Sequence, residues 1–230
     1  MKPRSKRYQE RAKLVDEKKR YSLVDAVSVI KKFPNAKYDE SIELSLQLGV
    51  DPNKAEENVR GTVQLPHGTG KSVKVLCFVK GEEAKAAQAV GADYAGADEY
   101  ISKVQEGWFD FDVVVAHPDM MRDISKLGKV LGPKGLMPSP KAGTVTVDVT
   151  KAVKEIKNGK IEFKSDNTGG LHVACAKVSF TEAAIKENTQ AVLRAILEHR
   201  PSSVKGAFVR SAALAASQSP GLKLDTGALV

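Results

Sequence analysis

Two kinds of hydrophobic pattern follow one another along this chain, and together they limit what it can fold into. From Ile42, apolar residues take every second position: Ile42, Leu44, Leu46, Leu48 and Val50, with Glu43, Ser45 and Gln47 between them. Successive side chains on a strand point to opposite faces, so this strand has one buried and one wet face. A second short strand is expected around Val63 and Leu65. From Val73 to Val79, and again at Val113–Ala116, the apolar residues instead run together. A strand that is apolar on both faces belongs in a sheet covered on both sides. Helices expected over Glu82–Ala89, from Asp98 to Gly107, from Pro118 onward and up to Lys157 supply those covers. Further short strands are expected near Tyr94 and at Thr144–Val147.

After Gly159 the one-sided pattern returns. Strands at Ile161–Lys164 and Leu171–Val178 flank the turn Ser165–Gly170. A helix from Thr181 to His199 carries Ala184, Ile185, Val192, Ile196 and Leu197 on one face, and a last strand lies near Ala207–Leu214. Near the start, Ser22 has the character of an N-cap for a helix carrying Leu23, Ala26, Val27 and Ile30, which Pro34 ends. Residues 1–20 are polar and basic with no extended apolar face, so they are expected to stay mobile until a partner is met. The fold class is therefore mixed. The two ends read as α+β, and the middle reads as a Rossmann-like three-layer α/β unit.

Charge divides the chain in the same way. Residues 1–70 hold 14 basic and 10 acidic groups, residues 71–150 hold 10 and 11, and residues 151–230 hold 12 and 7. The whole surplus of the +8 chain thus lies in its ends, which suggests one basic domain made from both ends with a neutral domain inserted between them. An excess of positive charge points to a polyanionic partner, nucleic acid before an anionic membrane surface. No stretch approaches the roughly 18 uninterrupted apolar residues of a spanning helix. Lys2, Arg4, Lys6 and Arg7 are followed by no apolar run of the kind a secretory signal requires. Cys77 and Cys175, each within an apolar stretch and with no Cys or His at ligand spacing, read as core residues in a reducing compartment.

The motifs that suggest catalysis fail on their surroundings. Gly68-Thr69-Gly70-Lys71-Ser72 ends like a phosphate-binding loop, but Leu65 stands where that loop needs Gly, and a strand follows where it needs a helix. After the first strand of the middle unit stands Lys80-Gly81-Glu82-Glu83, with two acidic residues where a pyrophosphate would sit. His67, His117, His172 and His199 have no partner at i+4. Asp39 and Glu40, adjacent on an extended segment, point to opposite faces and cannot act as an acid–base pair. No enzyme, cofactor or metal is expected. A general single-stranded nucleic-acid binder is disfavoured by the 6% aromatic content, too low for stacking platforms. The segment Leu127–Thr144 combines repeated Gly and Pro with Lys129, Lys134 and Lys141. It suits a rigid surface loop with solvated lysines and a phosphate-meeting platform equally well.

That segment resembles the signature loop of the first large-subunit ribosomal protein family, which forms the mobile stalk beside the tRNA exit site. The resemblance extends along the chain through Lys6-Arg7-Tyr8, Ala36–Glu40, Val59–Val63, Pro66–Lys71, Gly91–Tyr94, Gly107-Trp108, Phe111-Asp112, Lys160–Phe163 and Lys205-Gly206. Its spelling is that of the bacterial or organellar members, which places the chain in the cytoplasm or an organelle. The resemblance implies a discontinuous α+β RNA-binding domain, residues 1–67 and 160–230, with a Rossmann-like domain, 68–159, inserted into it. Crossings at Gly68 and Gly159 are candidate hinges.

The resemblance also implies the partners and the site. The partners are large-subunit rRNA of the stalk, exit-site tRNA whose release the protein assists, and the protein's own mRNA, which it represses. The protein would be a monomer within the ribosome, with no membrane partner. The matching RNA-facing positions are Lys37, Tyr38, Asp39, Glu40 and Ser41; Lys164, Asp166, Asn167, Thr168 and Gly169; and the tail Ser217, Gln218, Ser219 and Pro220. Lys6, Arg7, His172 and Lys205 complete the set. Short polar groups in a turn suit 2′-OH contacts, and the lysines suit phosphates. Two departures stand out. Tyr38 replaces the family's usual Phe, and Ser217-Gln218-Ser219-Pro220 replaces Thr-Met-Gly-Pro. Loss of Gly at 219 is expected to restrict the backbone there and to put the tail's contact with RNA in doubt.

Overall fold

The computed structural model describes residues 4–34, 36–52 and 54–228. In chain order its regular elements are α1 (Lys6–Ala12), α2 (Leu23–Lys31), β1 (Ser41–Leu48), β2 (Arg60–Gln64), β3 (Val75–Phe78), α3 (Glu82–Ala89), β4 (Tyr94–Gly96), α4 (Asp98–Gln105), β5 (Val113–Ala116), α5 (Met121–Ile124), α6 (Gly128–Leu131), α7 (Val149–Lys157), β6 (Lys160–Lys164), β7 (Gly170–Lys177), α8 (Glu182–Glu198), β8 (Val209–Ala216) and β9 (Leu222–Lys223). They form two compact units, residues 1–70 with 161–230 and residues 71–160.

In the first unit a four-stranded sheet has the order β7-β1-β8-β9, and β2 pairs with β6 apart from it. Strand β1 is antiparallel to both neighbours, with Leu44 opposite Val173 on one side and Leu214 on the other. The alternation seen in the sequence is the burial pattern: Ile42, Leu44, Leu46 and Leu48 are all buried, while Glu43 is exposed and Ser45 and Gln47 are half-buried. The buried face packs with Val27 and Ile30 of α2 and with Ile185, Val192 and Ile196 of α8 in one core. Ser22 caps α2 by accepting from the Asp25 amide at 3.1 Å, and Thr181 caps α8 by accepting from the Ala184 amide. Gly61 lies so close to Phe163 and His199 that a Cβ there would come within 2.7 Å of both side chains. His199 is thereby a packing residue, edge-on to Phe163.

In the second unit β3 lies between β4 and β5, parallel to both. Consecutive residues of β3 serve two cores. Val75 and Cys77 pack with Val149, Val153 and Ile156 of α7, and Leu76 and Phe78 pack with Ile101, Val104 and Ile124. This is the three-layer arrangement expected from apolar runs without alternation. The expected strand at Thr144–Val147 is reduced to a single bridge between Val145 and Ala116. Thr146 and Asp148 turn the chain into α7 instead, the Asp148 amide donating to Thr146 and the Asp148 side chain capping α7 at the Lys151 amide. The loop expected from Leu127 begins as helix α6, held by burial of Leu127 and Leu131. Burial pushes the Cys77 and Cys175 thiols up to about 12, in two different cores. They are unreactive core residues.

The first residues also differ from expectation. Instead of a mobile arm, residues 6–12 form α1, and Arg11 is fully buried against the first unit. Lys2 lies outside the described residues.

The division of β1 into two faces predicts opposite outcomes at neighbouring positions. Leu44→Ala should cost about 2–5 kcal/mol of unfolding free energy, and Glu43→Ala less than about 0.5 kcal/mol, as read from denaturant unfolding of the two variants.

Candidate nucleic-acid interface

Most of the residues singled out in the sequence lie in the first unit at the two ends of β1. These ends are about 23 Å apart at roughly 3.3 Å per residue. At the Ser41 end the chain leaves α2 after Lys31, bends at Lys37 and Tyr38 and enters β1. Lys37 and Asp39 are exposed here, as is Tyr38, whose ring is half open to solvent. Asp39 is fastened to the start of the α8 approach: its carboxylate accepts from the Ser179 amide at 3.1 Å and the Ser179 hydroxyl at 2.8 Å. The Lys31 ammonium donates to the Val178 and Phe180 carbonyls, and Lys177 donates to the Asp39 carbonyl and the Ser41 hydroxyl. Together these bonds line a notch of about 540 Å³ beside Tyr38, walled by Lys31, Lys37, Asp39 and Ser179.

Glu40 does not share that exposure. Its carboxylate is buried and pairs with Arg11 at 2.9 Å. It holds the strand entry from inside and is no RNA-facing acceptor. Asp39 and Glu40 do point apart, as adjacent residues on extended backbone should.

The tail is joined to the same end of β1. The Ser217 amide donates to the Ser41 carbonyl at 3.0 Å, and the Ser41 amide to the Ser217 hydroxyl at 3.2 Å. Ser219 closes the turn, its hydroxyl accepting from the Ala216 amide and donating to the Pro220 carbonyl. The backbone restriction expected at 219 is absent. The left-handed residue is Gln218, at φ 56°, the one non-glycine with positive φ among the described residues. That conformation costs about 1–2 kcal/mol for a residue with a Cβ. Gln218 is held in it while its side-chain carbonyl accepts from Arg7 at 2.8 Å. Arg7 is thus engaged within the protein, whereas Lys6 is exposed.

At the Leu48 end stands the turn between β6 and β7. One oxygen of Asp166 accepts from the Thr168 hydroxyl (2.7 Å), the Thr168 amide (2.8 Å) and the Gly170 amide (2.7 Å). Those donors hold the Asp166 carboxyl below the ordinary carboxylate range. Gly169 sits at φ 77° with the Gln47 amide group and the Leu48 carbonyl about 3.3 Å from where a Cβ would stand, so this turn requires glycine. Its carbonyl accepts from the Leu48 amide, and the Thr168 carbonyl accepts from Gln47. Lys164, Asn167 and Thr168 are left exposed. Lys205 is exposed nearby, on a loop that reaches Gly49 through the Phe208 carbonyl and that Arg200 braces by donating to the Val204 and Gly206 carbonyls.

Between the two ends runs the open face of the sheet. His172 is exposed there, opposite Ser45, with 3.0 Å between ring nitrogen and hydroxyl. Glu43, Gln47 and Ser211 share that face, with Ala213 and Ala215 between them. Reasoning from motifs alone misses Ser45, Gln47 and Ser211, although the alternation of β1 already marks Ser45 and Gln47 as outward. Among the described residues of these strands no large apolar side chain stands on this face. It is a surface of polar and small side chains with cations at both ends, a chemistry suited to the wide, shallow groove of A-form RNA.

The remaining positions serve other purposes. The Gly68 carbonyl accepts from the buried side chain of Asn188, which also accepts from the His67 amide, so Gly68 is fastened to its unit. Gly159 has φ 94° and ends α7. His67 pairs with Glu187 at 2.6 Å, and His117 accepts from the Asp119 amide. Among the described residues no group of three His, Cys, Asp or Glu side chains is placed to hold a metal ion.

The chain has relatives among known proteins. The model of the family described as ribosomal protein L1p/L10e matches residues 30–220. The chain is also 52% identical over 225 residues to the large ribosomal subunit protein uL1 of Kosmotoga olearia, a match covering 98% of this chain and 97% of that protein.

The turn around Asp166 has a measurable acid signature. A carboxyl whose folded pKa is lowered adds stability above its unfolded value, near 3.9, and that stability is lost as pH falls through the folded value. NMR titration of the Asp166 carboxyl should give a midpoint below about 3.9. Asp166→Ala should speed amide exchange at Thr168 and Gly170 by about tenfold.

Proposed function

Because the chain belongs to the ribosomal protein L1 family, we propose that its first unit grips the rRNA of the large-subunit stalk along the open face of β1. Membership makes the chain a structural constituent of the large ribosomal subunit, an rRNA-binding protein and not an enzyme. As a ribosomal protein of the bacterial type it works in the cytoplasm. The assignment of RNA contact to this face, and of roles to the two domains, is our reading. The observation that carries it is the polar outward face of the sheet running between two fastened, basic ends. Phosphates and 2′-OH groups of a folded RNA would meet Lys37, Lys164 and Lys205 and the short side chains of Thr168, Asn167, Ser45 and Ser211. Tyr38 offers a half-exposed ring and hydroxyl to a ribose or an unstacked base.

In this reading residues 1–67 with 160–230 form the RNA-holding domain, and 68–159 form an inserted domain carried by it. With Gly68 fastened by Asn188, bending is assigned to Gly159 and to the chain beyond Gly68. A protein that holds the stalk RNA also stands where deacylated tRNA leaves the exit site, and its release is the second role proposed. The third is repression of the protein's own mRNA through an RNA element that mimics the rRNA site. Ser219 does not stand at positive φ, so the loss of Gly at that position does not itself argue against RNA contact there.

The test is binding of the purified protein to a stalk-rRNA fragment and to a scrambled duplex across a salt series. The stalk fragment should bind selectively at physiological salt. Tyr38→Ala should weaken it by about tenfold, at roughly 1–3 kcal/mol per stacked base. Lys164→Ala should lower the salt slope by about one. Equal binding to both RNAs that collapses with salt would reduce the protein to a generic polycation and sink the reading.

A further inference from the structure

Among the described residues Arg11 is the most deeply buried charged side chain of the first unit, and nothing in the proposed RNA-contact surface uses it. Three groups from two distant parts of the chain converge on its guanidinium. Nη2 donates to the Glu40 carboxylate at 2.9 Å and to the Pro34 carbonyl at 2.5 Å, and Nη1 reaches the Ser217 carbonyl at 3.4 Å. The Phe33 ring lies 5.5 Å below it. Its Nε is buried without a hydrogen-bond partner. One turn earlier on the same face of α1, Arg7 donates to Gln218, the residue held left-handed. Residues four apart on a helix are neighbours, so the two arginines act along one line. A seven-residue helix has no stability of its own in water; α1 exists because these contacts dock it.

We propose that Arg11, with Arg7 beside it, is a positioning residue: α1 clamps the Lys37–Ser41 segment to the tail turn, so that this end of the RNA-binding surface is set before RNA arrives. The proposal rests on the RNA-binding reading above. A buried fork with ligands in both segments fixes their spacing in a way that a single-point ammonium cannot. Order established in the free protein removes the need to order the two segments on binding. Arg11 itself is covered and meets no phosphate.

The experiment measures affinity for the stalk-rRNA fragment and the scrambled duplex across salt, for the full chain and its variants, with melting followed in parallel. Arg11→Lys keeps a positive charge beside Glu40 but loses the fork. It should bind stalk RNA about tenfold more weakly, with its salt slope and its affinity for the scrambled duplex unchanged. The exposed end of the clamp keeps the test open should Arg11→Lys fail to fold. Arg7→Ala and Gln218→Ala should each lose about fivefold at an unchanged slope, and the double variant should lose no more than either, because both break one contact. Full affinity in folded Arg11→Lys, additive losses in the double variant, or a slope reduced by about one in Arg7→Ala would overturn the proposal. Wild-type protein with no preference for the stalk fragment would instead fail the proposed function itself.

Discussion

The first unit depends on the pairing of β1 with β7 and β8. Every apolar residue of β1 is buried, and both of its neighbours come from the far end of the chain, beyond residue 160. A strand with one apolar face has no stability until that face is covered and its backbone paired. Residues 71–160 must therefore leave and return before the core closes. The loop-closure penalty for so long an excursion grows only logarithmically with length, so stability tolerates a folded unit in the middle of another. The cost falls on speed, since non-local pairs form late. A self-contained second unit, with its own parallel sheet and two cores, suits that demand.

The same pairing places the proposed RNA surface. Antiparallel neighbours on both sides of β1 bring the tail turn to its Ser41 end and the Asp166 turn to its Leu48 end, although both lie far from β1 in the chain. Alternation then leaves Ser45, Gln47, His172 and Ser211 facing out between them. The two ends are stiffened differently. At the Leu48 end a carboxylate gathers three local donors from Thr168 and Gly170. At the Ser41 end a buried guanidinium gathers acceptors from segments far apart. Removing one partner of such a buried pair is costly, because the other is left charged and unsatisfied.

Much of this is legible in the sequence for a plain reason: burial follows period. The apolar positions of β1, the faces of α2 and α8 and the three layers around β3 all follow from residue spacing, and so does the outward face that RNA would meet. Features that depend on a distant partner are not legible. Residues 6–12 have no apolar stripe, and contacts with Phe33, Pro34, Glu40 and Ser217 make Arg11 a buried anchor instead of part of a mobile arm. The family resemblance sets Glu40 beside Lys37, Tyr38 and Asp39 as an RNA-facing position, yet its own carboxylate turns inward to Arg11. The family's glycine points to position 219 as the left-handed residue of the tail, whereas the turn places it at Gln218. At Thr144–Val147 the β-branched residues suggest a strand, but the Asp148 cap draws the chain into α7 after a single bridge.

On this reading three segments remote in sequence make one RNA-binding face on the first unit, and hydrogen exchange with and without the stalk-rRNA fragment probes all three at once. New protection should arise at residues 37–41, 164–172 and 217–220 together, with none across α3 and α4. Protection confined to one of those segments, or concentrated instead in the lysine-bearing stretch 126–144, would contradict it.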